Sequence, residues 1–127
     1  MKIKTSELIG DTLDWAVALI AYPEWKEQGY LEVFPYDLHF DDGEVYSPST
    51  NWTQAGPIVE REKIEWQWLP SSHKAHQYGA RKPSLGGLNR TFCMDGPTIL
   101  VAAMRCYVAS KLGDEVEIPE ALTESKS

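Results

Sequence analysis

The sequence predicts an α+β fold: a small antiparallel sheet with two main helices packed against it. Three observations lead there. Apolar residues recur at helical spacing near residue 13 and again beyond residue 97. The stretch between them is broken by Pro and Gly into short strand-like runs and loops. The chain also shows no internal repeat, heptad or low-complexity tract. Its 127 residues, 43% hydrophobic and 24% charged, suit one domain. At about this length a domain buries roughly two thirds of its unfolded surface, whereas half the length would make a marginal core. Five Trp, six Tyr and three Phe exclude a wholly disordered chain.

The first helix places Leu13, Ala16, Val17 and Ile20 on one face, with Asp11 and Asp14 near its positive end and Pro23 as its stop. Strands are expected over Tyr30 to Val33, Asp37 to Phe40 and Ile64 to Leu69, with a hairpin turn at Asp41-Asp42-Gly43. In the last strand Ile64, Trp66 and Trp68 share one face, and Glu65 and Gln67 the other. Tyr46 to Pro57, with two prolines and a glycine, reads as an ordered loop, and Ser84 to Asn89, with its Gly-Gly pair, as a mobile one. The second helix takes Asp95 as its N-cap, Pro97 in its first turn and Gly113 just past its end. Leu100, Ala103, Met104, Tyr107, Val108 and Leu112 form its buried stripe, and Lys111 suits its last turn. The domain is expected to span 1–119, with 120–127 a flexible C-terminal tail.

A net charge of −7 makes duplex nucleic acid a poor partner, because that binding rests on neutralising phosphates. The charge is uneven. Residues 1–60 carry three basic and eleven acidic side chains, whereas residues 61–90 carry six basic (Arg61, Lys63, Lys74, Arg81, Lys82, Arg90) against Glu62 and Glu65. This basic middle either meets a small anion or pairs with the protein's own carboxylates. Two cysteines, Cys93 and Cys106, with no CxxC, fit a reducing compartment and neither a disulfide framework nor a zinc site. Lys2 and Lys4 precede the apolar run Trp15 to Tyr22, but Glu7, Asp11 and Asp14 intervene and no signal-peptide cleavage site follows. That run is eight residues, against roughly 20 for a membrane span, so a soluble intracellular chain and no membrane partner are expected.

No GxSxG, HExxH, Walker or GxGxxG motif is present, so no catalytic residue, metal ligand or cofactor is assigned. His73 and His76 lie in a polar stretch and read as surface residues, His39 as a solvent-facing strand residue, and Cys106 as a small core hydrophobe. Asp41-Asp42-Gly43-Glu44 is too short for a calcium loop. Binding is the better-supported chemistry. Tyr46, Ser47, Ser49, Thr50, Asn51 and Trp52 concentrate hydroxyls, an amide and two aromatic faces in one proline-braced segment. Stacking a base on an aromatic ring is worth roughly 1–3 kcal/mol. Arg61, Arg81 and Arg90 offer forked donors for phosphate. The same polar groups would also serve simply to satisfy loop backbone. Arg105 shares a helical row with Val101, Val108 and Leu112, so its stem is expected to be buried. Its partner is then a carboxylate such as Glu60 or a C-terminal acid, or else a ligand.

Three stretches resemble the NinX-like proteins of lambdoid bacteriophages. They are Lys4-Thr5-Ser6-Glu7-Leu8 with Leu13-Asp14-Trp15-Ala16-Val17-Ala18; Tyr46-Ser47-Pro48-Ser49-Thr50-Asn51-Trp52 with Gly56-Pro57-Ile58-Val59-Glu60-Arg61-Glu62; and Gly96-Pro97-Thr98 with Ala102 through Gly113. Asn51 and Ala55 stand where the family pattern leads one to expect Asp and Gly, and Tyr22 to Glu44 is longer than usual. The resemblance implies a phage accessory protein acting in the host bacterial cytoplasm, and it implies no specific activity. Two readings follow. One is a non-catalytic binder, as a homo-oligomer, of a small anionic or nucleotide-like ligand, such as a host defence signal to be sequestered. The other is an acidic interaction module, bearing Asp37, Asp41, Asp42 and Glu44, that docks on and inhibits a host protein. An enzyme acting on a nucleotide would need a catalytic group that the sequence does not display.

Overall fold

A computed structural model describes residues 1–35, 37–70, 73–83 and 91–124. In chain order the elements are β1 (Lys2–Lys4), α1 (Asp11–Ala21), α2 (Pro23–Glu27), α3 (Tyr30–Val33), α4 (Trp52–Arg61), β2 (Glu65–Trp68), β3 (Tyr78–Pro83), β4 (Thr91–Gly96), α5 (Ile99–Leu112), β5 (Glu115–Glu117) and α6 (Glu120–Glu124). Single 3-10 turns sit at Thr5–Glu7 and Lys74–His76. The fold is α+β, with α1 and α5 as its main helices.

α5 is the hub. Every residue from Leu100 to Ala109 is buried, so the helix is covered on all sides rather than along one stripe. Leu112, expected in that stripe, lies at its exposed end. Thr98 caps α5 by accepting from the Val101 N–H at 3.1 Å. Asp95, expected to be the cap, belongs to β4. Gly113 ends the helix with φ +90, as the sequence indicated. α1 begins after Gly10, whose φ of +58 favours glycine, and its buried residues run from Thr12 to Ala18. One face meets α5, while the Trp15 indole donates to the Leu31 carbonyl at 2.9 Å.

The main sheet has the order β2-β3-β4, antiparallel throughout, with Trp66, Ala80 and Met94 in register. A second, two-stranded sheet pairs β1 with β5, setting Lys2 opposite Glu117 and Lys4 opposite Glu115.

Several sequence expectations change. Tyr30 to Val33 is a helical turn, α3, opened by Gly29 at φ +77, and it buries only Leu31. Asp37 to Phe40 makes a single bridge, His39 to Val45, rather than a strand. The hairpin turn between them is as expected, with Gly43 at φ +88. Tyr46 to Pro57 is not one loop, because α4 starts at Trp52 and continues through Gly56 and Pro57. Ala55, Ile58 and Val59 form its buried side. β2 lies where expected, but Trp66 and Trp68 are exposed. The expected tail starts inside the fold: α6 buries Leu122 completely. Ser84 to Asn89 and 125–127 lie outside the described residues.

Candidate functional site

α1 stops at Ala21, and Pro23 turns the chain into α2, which leaves Tyr22 at a corner. Its ring stacks on Trp25 with centroids 4.6 Å apart. It also meets Phe40 edge-on at 5.6 Å and Tyr46 at 5.3 Å. This aromatic cluster fastens the acidic hairpin to the end of α1. Gln54 fastens the hairpin to α4: its Oε1 accepts from the Ser47 N–H at 2.6 Å, and its Nε2 donates to the Val45 carbonyl at 2.7 Å.

Between these parts lies a cleft of about 330 Å³. It is walled by Ala21, Tyr22, Phe40 and Tyr46 on one side and by Thr53, Gln54, Pro57, Ile58 and Arg61 of α4 on the other. Its volume is at the small end of the range for ligand sites. Tyr46 is 4% exposed, and its hydroxyl has no hydrogen-bond partner among the described residues. Burial pushes this phenol well above its ordinary pKa. An unpaired buried hydroxyl costs about 1–3 kcal/mol.

Arg61 belongs to the lining. Its Nε donates to Glu62 at 3.1 Å and its Nη2 to the Tyr107 hydroxyl at 3.4 Å. Glu62 in turn meets Lys82 Nζ at 2.8 Å and Lys111 Nζ at 3.5 Å. Three cations therefore surround one carboxylate. Burial raises the Glu62 pKa, but hydrogen bonds from Lys82 and Arg61 and the charges of Lys82 and Lys111 outweigh it and hold the group at about 2. The hydrogen bond to Glu62 is the main influence raising the Arg61 pKa. Lys82 and Glu62 are almost wholly buried, whereas Arg61 is largely exposed. Arg61, Arg81 and Lys82 thus pair with the protein's own carboxylates, and the Glu62 cluster still carries excess positive charge.

Of the described residues that the sequence nominated, only Tyr46 and Arg61 meet in this cleft. Ser47 and Thr50 form a turn, with the Thr50 N–H donating to the Ser47 carbonyl at 3.0 Å. Ser49 is buried and donates its N–H to Asp14 Oδ1 at 2.8 Å. Asn51 caps α4, accepting from the N–H groups of Thr53 and Gln54. An Asp there would cap equally well, so the departure from the family pattern alters no chemistry of the cleft. Trp52 is exposed and lies edge-on to Trp66 at 5.9 Å, outside the cleft lining. Arg81 bonds Glu65 at 2.6 Å on the sheet. Arg90 lies outside the described residues. Arg105, 6% exposed, makes no ion pair among the described residues and does not line the cleft. Its guanidinium donates to the carbonyls of Leu8 at 2.7 Å and Asp95 at 2.8 Å, and burial lowers its pKa despite the nearby Asp95 charge.

His76 is exposed, as expected, and pairs with Asp95 at 2.8 Å, and Cys106 is fully buried. Among the described residues no group of three His, Cys, Asp or Glu is placed to hold a metal. A wider hollow of about 870 Å³ lies over the main sheet; its charged lining residues are already paired, Arg81 with Glu65 and Asp95 with the neighbouring His76. Tyr22, Phe40 and Gln54 escaped the sequence reading. In the sequence Tyr22 marks only the end of an apolar run before Pro23, and Phe40 the end of an expected strand before a turn.

A family model described as Bacteriophage P22, NinX matches residues 4–111. The chain belongs to this phage family. The matched span runs from the end of β1 almost to the end of α5, so it contains the cleft and the whole Glu62 cluster. No curated protein matches the chain.

Proposed function

We propose that this phage accessory protein binds, without catalysis, a small anion that carries a flat ring, of nucleotide-like chemistry. The observation that carries this reading is the cleft in which Tyr22, Phe40 and Tyr46 meet the guanidinium of Arg61, itself part of a cluster with more cations than carboxylates. Aromatic walls suit a ring, and a forked donor suits phosphate or carboxylate. The protein would act in the host bacterial cytoplasm, where capture of a host defence signal is the use we assign it. No helix among the described residues is long and apolar enough to cross a membrane. A sequestering protein needs nanomolar affinity, about −12 kcal/mol, so stacking has to be joined by charge-assisted contacts.

The test is a thermal-shift screen of nucleotides and cyclic nucleotides, with mass spectrometry of small molecules released on denaturation. A ligand at 100 times its Kd adds about 2.7 kcal/mol of stability. Arg61→Gln should remove the shift while leaving the unliganded melting temperature nearly unchanged, because the Arg61 side chain is largely exposed. A clean negative from both measurements would sink the reading.

A second reading, docking on a host protein, draws on the hairpin, where Asp37, Asp41, Asp42 and Glu44 all face solvent. It expects a host-lysate complex that weakens as salt rises and is lost when these four are replaced by Asn and Gln.

A further inference from the structure

We propose that β2 is a dimerisation edge, where two copies of this chain join antiparallel about a two-fold axis at Gln67 and cover Trp52, Trp66 and Trp68. These three indoles are 49%, 46% and 62% exposed, and Trp52 and Trp66 already touch edge-on. β2 is also an edge strand of the main sheet.

The backbone says which groups are free. Leu69 N–H donates to the Gln77 carbonyl, so the residues of β2 whose N–H and C=O face β3 are the odd-numbered ones. Trp66 and Trp68 therefore direct their N–H and C=O to the open edge, where no described strand takes them up.

A two-fold axis normal to a sheet keeps each face continuous, so only registers that put Trp opposite an even-numbered residue are allowed. An axis at Trp66 would set Trp68 against Ile64, whose N–H is already committed to the Val59 carbonyl at 3.0 Å. An axis at Trp68 would set Trp66 against Pro70, which has no N–H. An axis at Gln67 sets each Trp66 opposite the other copy's Trp68, and both pairs exchange two hydrogen bonds.

Charge points the same way. In a chain of net −7, self-association needs a neutral contact. Trp66, Gln67 and Trp68 are uncharged, Glu65 is paired with Arg81, and this register sets Glu65 opposite Leu69 rather than another carboxylate. Three half-exposed indoles represent on the order of 350 Å² per copy. That is nearly half of the roughly 800 Å² each partner gives a standard interface, and the strand backbone and flanking side chains add to it.

Sedimentation equilibrium of the full chain across the micromolar range tests this. The expected result is a monomer–dimer equilibrium whose dissociation constant rises tenfold or more in Trp68→Thr, with the far-ultraviolet spectrum unchanged. Gln67→Cys gives a second readout that does not depend on removing an indole. Across the axis the two Cα atoms would be about 4.5 Å apart, within disulfide reach. Gln67→Cys should therefore form a covalent dimer under mild oxidation. Glu65→Cys, with its two copies roughly 14 Å apart along the strands, should not. A monomer at every concentration, or a dimer that Gln67→Cys fails to cross-link, overturns the proposal.

Discussion

Replacing Asp14 with Asn should remove a loss of stability that sets in as pH rises from about 4 to about 6. Asp14 is 7% exposed, and its pKa is raised from 3.8 to about 6. Burial is the chief cause, Ser49 hydrogen bonding opposes it, and the charge of Asp11 adds to it. In this window the folded state holds the proton more tightly than the unfolded chain does. The stabilisation is thus complete below about pH 4 and is lost as pH rises through about 6. A shift of this size corresponds to about 3 kcal/mol at 1.36 kcal/mol per pH unit. The Asn side chain keeps an oxygen to accept the Ser49 N–H and carries no charge. Urea unfolding followed by tryptophan fluorescence, repeated from pH 4 to pH 7.5, gives the difference in unfolding free energy between the two chains. That difference should move in favour of the Asp14→Asn variant by up to about 3 kcal/mol across the window and then level off. A difference that stays flat, or moves the other way, would refute the account of Asp14 as a carboxylate held in a desolvated site.

Glu62→Gln should cost about 3–5 kcal/mol near neutral pH, because buried Lys82 loses its carboxylate. The Glu62 pKa is lowered, so this contribution is present above 4.5 and fades as pH falls through about 2; the two chains should converge in acid unfolding. Asn51→Ala should lower stability by about 1 kcal/mol in chemical denaturation, whereas Asn51→Asp should not, since only the cap acceptor matters. Gly96→Ala should cost about 1–3 kcal/mol in the same assay. The added Cβ would lie 2.9 Å from Val101 Cγ1 and 3.0 Å from the Ala102 nitrogen, at the junction of β4 and α5.

The helices legible in the sequence were those whose stop signals and apolar spacing agreed. α1 had Pro23 and α5 had Gly113, and both ended there. α4 was hidden because Gly56 and Pro57 argue locally for a loop, while its Asn51 cap and the buried Ala55, Ile58 and Val59 argue for a helix only once α5 is present to cover them. β3 was hidden for a similar reason. Tyr-Gly-Ala-Arg-Lys-Pro has little strand character, and Lys82 is tolerated inside only because Glu62 and Ser110 meet it from distant segments. In the candidate site, an aromatic residue and an arginine were readable by type, as Tyr46 and Arg61. Their neighbours Tyr22 and Phe40 were not, because no local pattern records that the 37–46 hairpin folds back onto the end of α1.

The pairing of β1 with β5 makes the first strand wait, during synthesis, for a segment made much later. Lys4 waits for Glu115, and α1, with Leu13 and Val17 fully buried in the finished fold, waits for α5. At roughly 5–20 residues per second, a ribosome takes on the order of ten seconds to make the intervening stretch. Throughout that interval the face of α1 that will meet α5 stays uncovered, although α2 and the Leu31 turn are already at hand, so its final packing is deferred until α5 has been made.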